Sequence, residues 1–211
     1  MSEKKEQELL IKQGKMLPVM EHFYTIQGEG FHAGRAAYFI RLAGCDVGCH
    51  WCDVKESWDA SLHPVLDMDE LAQTAAKHCK TIIITGGEPL MWNLEFLTQK
   101  LKELGSTIHI ETSGSHPLSG HLDWITLSPK KVKQPLPEVY KKANELKMVI
   151  FNNHDFKFAE EQAAKVSENC LLYLQSEWSK RETNYPKITS YILENPQWRS
   201  SVQTHKYLDI R

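Results

Sequence analysis

One short run limits the fold more than any other. Thr81 to Thr85 reads Thr-Ile-Ile-Ile-Thr, five consecutive β-branched residues. An extended chain sends neighbouring side chains to opposite faces, so three adjacent isoleucines need apolar cover on both sides. The flanking sequence supplies the layers. Ala37–Leu42, Thr107–Glu111, Trp124–Leu127, Lys147–Phe151 and Leu171–Gln175 read as further strands, and Ser201–Thr204 as extended chain. Helical patterns fall between them. Asp67–Lys77 has Asp67 or Asp69 as N-cap, and Trp92–Leu104 repeats Leu94, Leu97, Leu101 and Leu104 before a Gly105 C-cap. Pro137–Leu146 carries proline at its first turn, and Asp155–Val166 and Lys187–Asn195 complete the set. Strands alternating with helices predict an α/β fold with a mainly parallel sheet.

The chain has 211 residues, enough for one domain that buries about 70 % of its unfolded surface. We read residues 1–15 as a polar, frayed lead-in and 16–211 as a single domain. Lys and Arg number 25 against 27 Asp and Glu, so no basic field drives nucleic-acid binding. No apolar run approaches the roughly 18 residues of a membrane helix. The N-terminal stretch lacks the apolar segment of a secretory signal, and the odd cysteine count suits a reduced, cytoplasmic chain.

In parallel α/β folds the active site lies at the carboxyl ends of the strands. Polar clusters fall at those ends: Cys45 after the first strand, Gly86-Gly87-Glu88 after the second, Glu111-Thr112-Ser113 after the third, Ser128-Pro129-Lys130 after the fourth. Cys45, Cys49 and Cys52 form a C-x3-C-x2-C loop. Three thiolates on one loop can hold three irons of a 4Fe-4S cluster and leave the fourth open. The alternative is a Cys3His zinc site completed by His50, which its neighbour Cys49 places badly for a tetrahedron. Cys79 and Cys170 read as small buried hydrophobes.

The cysteine loop followed by Thr85-Gly86-Gly87-Glu88-Pro89 resembles the radical S-adenosylmethionine (SAM) superfamily. Within it, the stretch from about Pro18 to Arg211 closely resembles the 7-carboxy-7-deazaguanine synthase family. The carriers are Glu21 to Gly30 with its Gln-Gly-Glu-Gly, Arg41, Trp51-Cys52-Asp53, Glu111 to Gly114, Ser128-Pro129-Lys130, and the tail Gln203 to Arg211. The resemblance implies a partial (β/α)6-type barrel. It also implies a carbon–nitrogen lyase of deazapurine (queuosine) synthesis, which uses a 5′-deoxyadenosyl radical to turn 6-carboxy-5,6,7,8-tetrahydropterin into 7-carboxy-7-deazaguanine with loss of ammonia. By the same resemblance Cys45, Cys49 and Cys52 hold the cluster. Trp51, Cys52, Asp53, Gly87, Glu88, Ser128, Pro129 and Lys130 bind SAM, the Glu88 carboxylate suiting its ammonium. Ile26, Gln27, Gly28, Glu29, Arg41, Thr85, His205 and Arg211 hold the pterin, Arg41 meeting its carboxylate. Glu111 and Gln175 are weaker candidates. The expected partners are the pterin, an external flavodoxin-like electron donor and a second copy in a homodimer, with no nucleic acid and no membrane.

One position departs from the family. Val54 stands where a Thr or Ser hydroxyl ordinarily binds magnesium, and valine offers no oxygen to a hard cation. The metal then binds through Asp53, a backbone carbonyl or water; or it is absent and Lys55 or another cation meets the carboxylate; or the substrate differs. Two rival functions stay open here: a glycyl-radical-enzyme activase and a non-catalytic zinc module.

Overall fold

Ile82, Ile83 and Ile84 lie on β4 (Thr81–Gly86) and are fully buried. The computed structural model describes residues 3–211. In it β4 sits between β2 (Ala36–Leu42) and β5 (Thr107–Thr112), parallel to both. The series continues in parallel through β6 (Trp124–Leu127), β7 (Glu145–Ile150), β8 (Leu171–Ser176) and β9 (Trp198–Ser201). On the other side β1 (Met16–Ile26) runs antiparallel to β2 and to the short β3 (Val65–Asp67). The order is β3-β1-β2-β4-β5-β6-β7-β8-β9, an open sheet with β3 and β9 at its edges.

Alternation along each strand divides the sheet into two environments. Ile82 and Ile84, Ile108 and Ile110, Leu146 and Met148 join the main core. That core is covered by α2 (Met68–His78), α3 (Glu95–Glu103), α5 (His154–Ala163) and α6 (Arg181–Glu194), whose inward residues include Leu71, Leu97, Leu101, Ala159 and Ile188. Intervening residues such as Arg41, Thr85, Glu111, Lys147 and Gln175 line a cavity on the opposite face. Asp67 caps α2, its carboxylate accepting from the backbone of Asp69 and Glu70.

The structure corrects several expectations. The polar lead-in contains α1 (Glu3–Lys12), none of whose residues is buried. β1 was not anticipated, because Pro18, Glu21 and His22 break its apolar pattern. α4 (Pro137–Lys142) stops short of Leu146: the Asn144 side chain accepts from Ile125 N at 2.8 Å, and this anchor to β6 turns the chain into β7. α6 begins at Arg181 and runs through Pro186, which forfeits one bond near the helix start. Ser201 ends β9, and Thr204 opens a short helix, α7 (Thr204–Tyr207), where extended chain was expected. Among the described residues the β5–β6 connection carries no helix. Among the described residues no helix is long and apolar enough to cross a membrane.

Candidate active site

The cavity opens at the carboxyl ends of the parallel strands, and the cysteine loop forms one wall. Its position depends on two glycines at the end of β4. Gly86 has φ +150°, and a Cβ there would lie 2.2 Å from Leu42 O. A Cβ on Gly87 would lie 2.4 Å from Gly44 O and 2.7 Å from the Cys45 Cβ. Only bare backbone fits, and it bonds directly: Gly87 N to Leu42 O at 3.1 Å, Glu88 N to Gly44 O at 2.9 Å. From the other side Trp92 Nε1 donates to Ala43 O at 2.8 Å, and Cys45 N to Trp58 O at 3.1 Å. Cys52 N donates to Cys49 O at 3.1 Å and closes the loop on itself.

Cys45, Cys49 and Cys52 are free thiols and all three line the cavity. Burial pushes Cys45 and Cys49 up; for Cys49 the Lys130 ammonium works in the opposite sense and favours thiolate. Among the described residues no group of three or more His, Cys, Asp or Glu side chains closes to the spacing of one metal ion. His50, offered as a zinc ligand, presents its ring edge-on to Phe151 at 5.2 Å. Three thiols spread along a cavity wall suit a multi-iron cluster better than a lone zinc ion.

Trp51, Asp53, Gly87, Ser128 and Lys130 share that wall. Lys130 Nζ bonds Ser128 Oγ at 2.5 Å and stands 5.1 Å from the Trp51 ring centroid. Pro129 does not line the cavity, and neither does Glu88. Glu88 corrects the expectation of a carboxylate turned to a ligand ammonium. It is 1 % exposed, with one oxygen accepting from Leu90 N (3.0 Å) and Thr112 Oγ1 (2.5 Å) and the other from Ser113 N (2.8 Å) and Ser113 Oγ (2.5 Å). It joins the ends of β4 and β5 behind the wall.

Ile26, Gln27, Gly28, Glu29, Arg41, Thr85 and His205 converge on the same cavity, with Glu111 and Gln175 beside them and Arg211 at its rim. Glu21 accepts from Arg41 Nε at 2.8 Å, and among the described residues nothing else accepts from that guanidinium, so its terminal amino groups are free to face the cavity. Gln27 Nε2 donates to Glu111 Oε1 at 2.8 Å, Glu29 N to Gln27 Oε1 at 3.1 Å, and Gln203 Nε2 to Glu29 Oε1 at 2.8 Å. Burial by itself would raise the Glu29 carboxyl; contact with the Lys147 ammonium outweighs it and holds the group well below the carboxylate range. His205 packs against Gly28, where a Cβ would fall 2.2 Å from its Nδ1, and burial pushes its imidazole down. Arg211, 72 % exposed, lies at the rim 3.8 Å from Glu21, with its backbone oxygen accepting from Thr25 Oγ1 at 3.0 Å.

Sequence reasoning missed Lys147, Trp178 and Gln203, which also line the cavity. Trp178 follows the carboxyl end of β8, where the rule for parallel sheets would have found it. Lys147 was hidden by carrying a helix through Leu146. The available signal was Glu145 and Lys147 alternating with Leu146 and Met148.

Val54 also lines the cavity and does not fit a magnesium ion. Its side chain is apolar, and its carbonyl already accepts from Ser57 Oγ at 2.7 Å. Asp53 is paired with Lys206 at 2.8 Å, while Lys55 lies over Trp58.

Comparison with known proteins places this geometry in context. The family model for the Radical SAM superfamily matches residues 39–150. The chain is 60 % identical to a 7-carboxy-7-deazaguanine synthase of Flavobacterium psychrophilum over 98 % of both chains. It is 51 % identical to one of Synechocystis, covering 92 % of this chain and 93 % of that one. Among solved structures, the crystal structure of QueE from Escherichia coli aligns with TM-score 0.79 and 30 % identity, covering 94 % of this chain and 99 % of that one.

Proposed function

The chain belongs to the 7-carboxy-7-deazaguanine synthase family within the radical SAM superfamily, and from that premise we propose how its residues divide the work. The reaction is the conversion of 6-carboxy-5,6,7,8-tetrahydropterin to 7-carboxy-7-deazaguanine with loss of ammonia. One observation carries the assignment of the site: the three-cysteine loop and the polar set Gln27, Glu29, Arg41 and Glu111 open onto one cavity. A 4Fe-4S cluster held by Cys45, Cys49 and Cys52, with SAM along Trp51–Asp53, Gly87, Ser128 and Lys130, would supply the radical chemistry.

The chain's own tasks are positioning and exclusion. Arg41, braced by Glu21 through Nε, offers its two free amino groups to the substrate carboxylate as a planar fork. Gln27, Glu29 and Glu111 supply acceptors for the N–H groups of the pterin's guanidine-like edge. An analogue lacking those groups would face these acceptors with no donor of its own, which makes rejection strong. Closure falls to the C-terminal segment. Lys206 pairs with Asp53, His205 packs on Gly28, and Arg211 lies over β1, so the tail ties the cysteine loop to the substrate end. Removing water this way strengthens each polar contact inside.

Three further parts of this reading rest on the resemblance and the thiol chemistry: a flavodoxin-like electron donor, a homodimer and a cytoplasmic location that keeps the cysteines reduced. Magnesium has no donor set at Val54, and no step is assigned to it.

The test is anaerobic reconstitution with iron and sulfide, then incubation with SAM, a reductant and 6-carboxytetrahydropterin, followed by mass spectrometry. The expected product is 7-carboxy-7-deazaguanine, formed at the same rate with added magnesium or with a chelator in its place. SAM cleavage without that product would overturn the substrate and favour an activase. Zinc without an iron–sulfur chromophore would overturn the cluster. In the same assay Arg41→Lys is expected to raise the pterin KM roughly tenfold to a hundredfold, because a point charge replaces a two-pronged donor. The dissociation constant for SAM is expected to stay unchanged, and an equal loss for both ligands would argue against the carboxylate role.

A further inference from the structure

A lysine inside a sheet needs a reason. Lys147 is the third residue of β7, its side chain 6 % exposed, between Leu146 and Met148 of the main core. Its ammonium contacts Glu29 and stands 3.6 Å from Glu111 Oε2. Those residues are joined a second way, through the Glu29 main chain. Glu29 N donates to Gln27 Oε1, and Gln27 Nε2 donates to Glu111 Oε1. The result is a closed circuit, Lys147–Glu29–Gln27–Glu111–Lys147, with every member in the cavity wall.

We propose that Lys147 is a positioning residue that holds the Glu29 and Glu111 carboxylates in place and, through Glu111, fixes the direction of the Gln27 amide, so that the circuit turns acceptors to the donor-rich edge of an aminopyrimidinone. The proposal rests on the pterin reading and goes a step past it. Two carboxylates sharing a desolvated cavity do not both stay charged unless a cation stands between them. A protonated carboxyl would present an O–H to the ligand's N–H groups, setting donor against donor. An amide hydrogen-bonded to an ionised carboxylate has one correct orientation, with its NH2 toward the charge, and Gln27 adopts it.

The other charged groups around the circuit are Glu145 on the same strand, Lys130 beyond β6 and His205 on α7. Tyr185 on α6 also faces Glu29. Burial disfavours the charged ammonium of Lys147, but Glu111, Glu29 and Glu145 outweigh it and hold its pKa above the ordinary lysine value. Glu145 lies at the strand's start, where burial pushes its carboxyl up to about 6. Lys147 thus touches a carboxylate held low, Glu29, and stands two residues along β7 from one pushed up, Glu145.

The experiment compares reconstituted wild-type enzyme with Lys147→Met, Lys147→Gln and Lys147→Arg, reading kcat and KM for 6-carboxytetrahydropterin between pH 6 and 9. With the lysine in place the Glu29 carboxyl is held low and stays ionised throughout, so it contributes no acid limb. Without it burial raises the Glu29 carboxyl, and binding is lost as pH falls through the raised value. For Lys147→Met and Lys147→Gln the pterin KM is expected to rise roughly tenfold or more at pH 6 and to recover toward pH 9, with SAM affinity unchanged. Lys147→Arg is expected to restore the flat profile. A pH-independent loss in the methionine and glutamine variants, or an unchanged KM, would overturn the proposal. So would failure of both neutral variants to fold, which would assign Lys147 to the scaffold. If the wild-type enzyme makes no deazaguanine, the functional reading fails before any variant is compared.

Discussion

Cys49→Ala is expected to yield a folded, colourless protein that neither retains iron after reconstitution nor cleaves SAM. Cys49 lies in the cavity wall as a free, half-buried thiol between Lys130 and the other two cysteines. Its removal leaves two thiols, too few for a cluster that already lacks a fourth protein ligand. The fall in turnover is the whole contribution of the radical cofactor, roughly a thousandfold or more. Stability in the absence of iron should change by less than about 1 kcal/mol, because a half-exposed thiol contributes little packing. Cys170→Ala is the contrasting control. Cys170 belongs to the main core, so that variant is expected to keep its colour and turnover and to lose about 1 kcal/mol of stability. Iron content, visible absorption and thermal melting of the two proteins settle the matter. A coloured, iron-loaded Cys49→Ala protein would show that the loop is not the cluster site.

Glu88→Ala is expected to have the largest effect on stability. Its carboxylate accepts two bonds on each oxygen, from Leu90, Thr112 and Ser113, and truncation orphans Leu90 N, Thr112 Oγ1 and Ser113 N in a buried site, while Ser113 Oγ keeps Ser115 Oγ. An unsatisfied buried donor costs about 1–3 kcal/mol, and such losses are not additive, so the expected cost is roughly 3–5 kcal/mol. For a domain of this length that is a drop in melting temperature of roughly 10 °C. Glu88→Gln should lose a substantial part of the same stability, since its NH2 must face one of the donor pairs. The measurement is thermal melting without SAM or iron, where a residue whose only role is to bind the cofactor's ammonium would have no effect. A Glu88→Ala protein that melts like wild type but binds SAM poorly would return Glu88 to the ligand and refute the role assigned by its contacts. If the stability loss appears, weakened SAM binding should accompany it, because Glu88 N also bonds Gly44 O beside Cys45.

The two residues show what kind of information each level carries. Cys49 was legible because its chemistry depends on near neighbours: three cysteines within eight residues form one loop in any fold that puts a strand before them. Glu88 was legible as part of a motif but not in its orientation. Its partners Thr112 and Ser113 are 24 and 25 residues away, and only the parallel pairing of β4 with β5 brings them into reach.

The same division holds across the fold. Periodicity over five to ten residues identified β4, the Asp67 cap of α2 and the leucine stripe of α3, because side-chain direction within one element is a local property. β1 escaped because its interruptions make sense only against its neighbours. Glu21 is paired across the strand with Arg41, and Pro18 lies where β1 meets the short edge strand β3. The interior of the sheet was decided by tertiary structure alone. Lys147 meets Glu29 across 118 residues of sequence, and Gln203 meets Glu29 across 174. A buried charge is tolerable only beside its partner, and no local pattern announces a partner that far along the chain. The sequence by itself determined the strand-and-helix alternation, the cysteine loop and the family. The long-range pairing of the sheet decided which carboxylate faces the cavity, which one braces its wall and which lysine holds the charges in place.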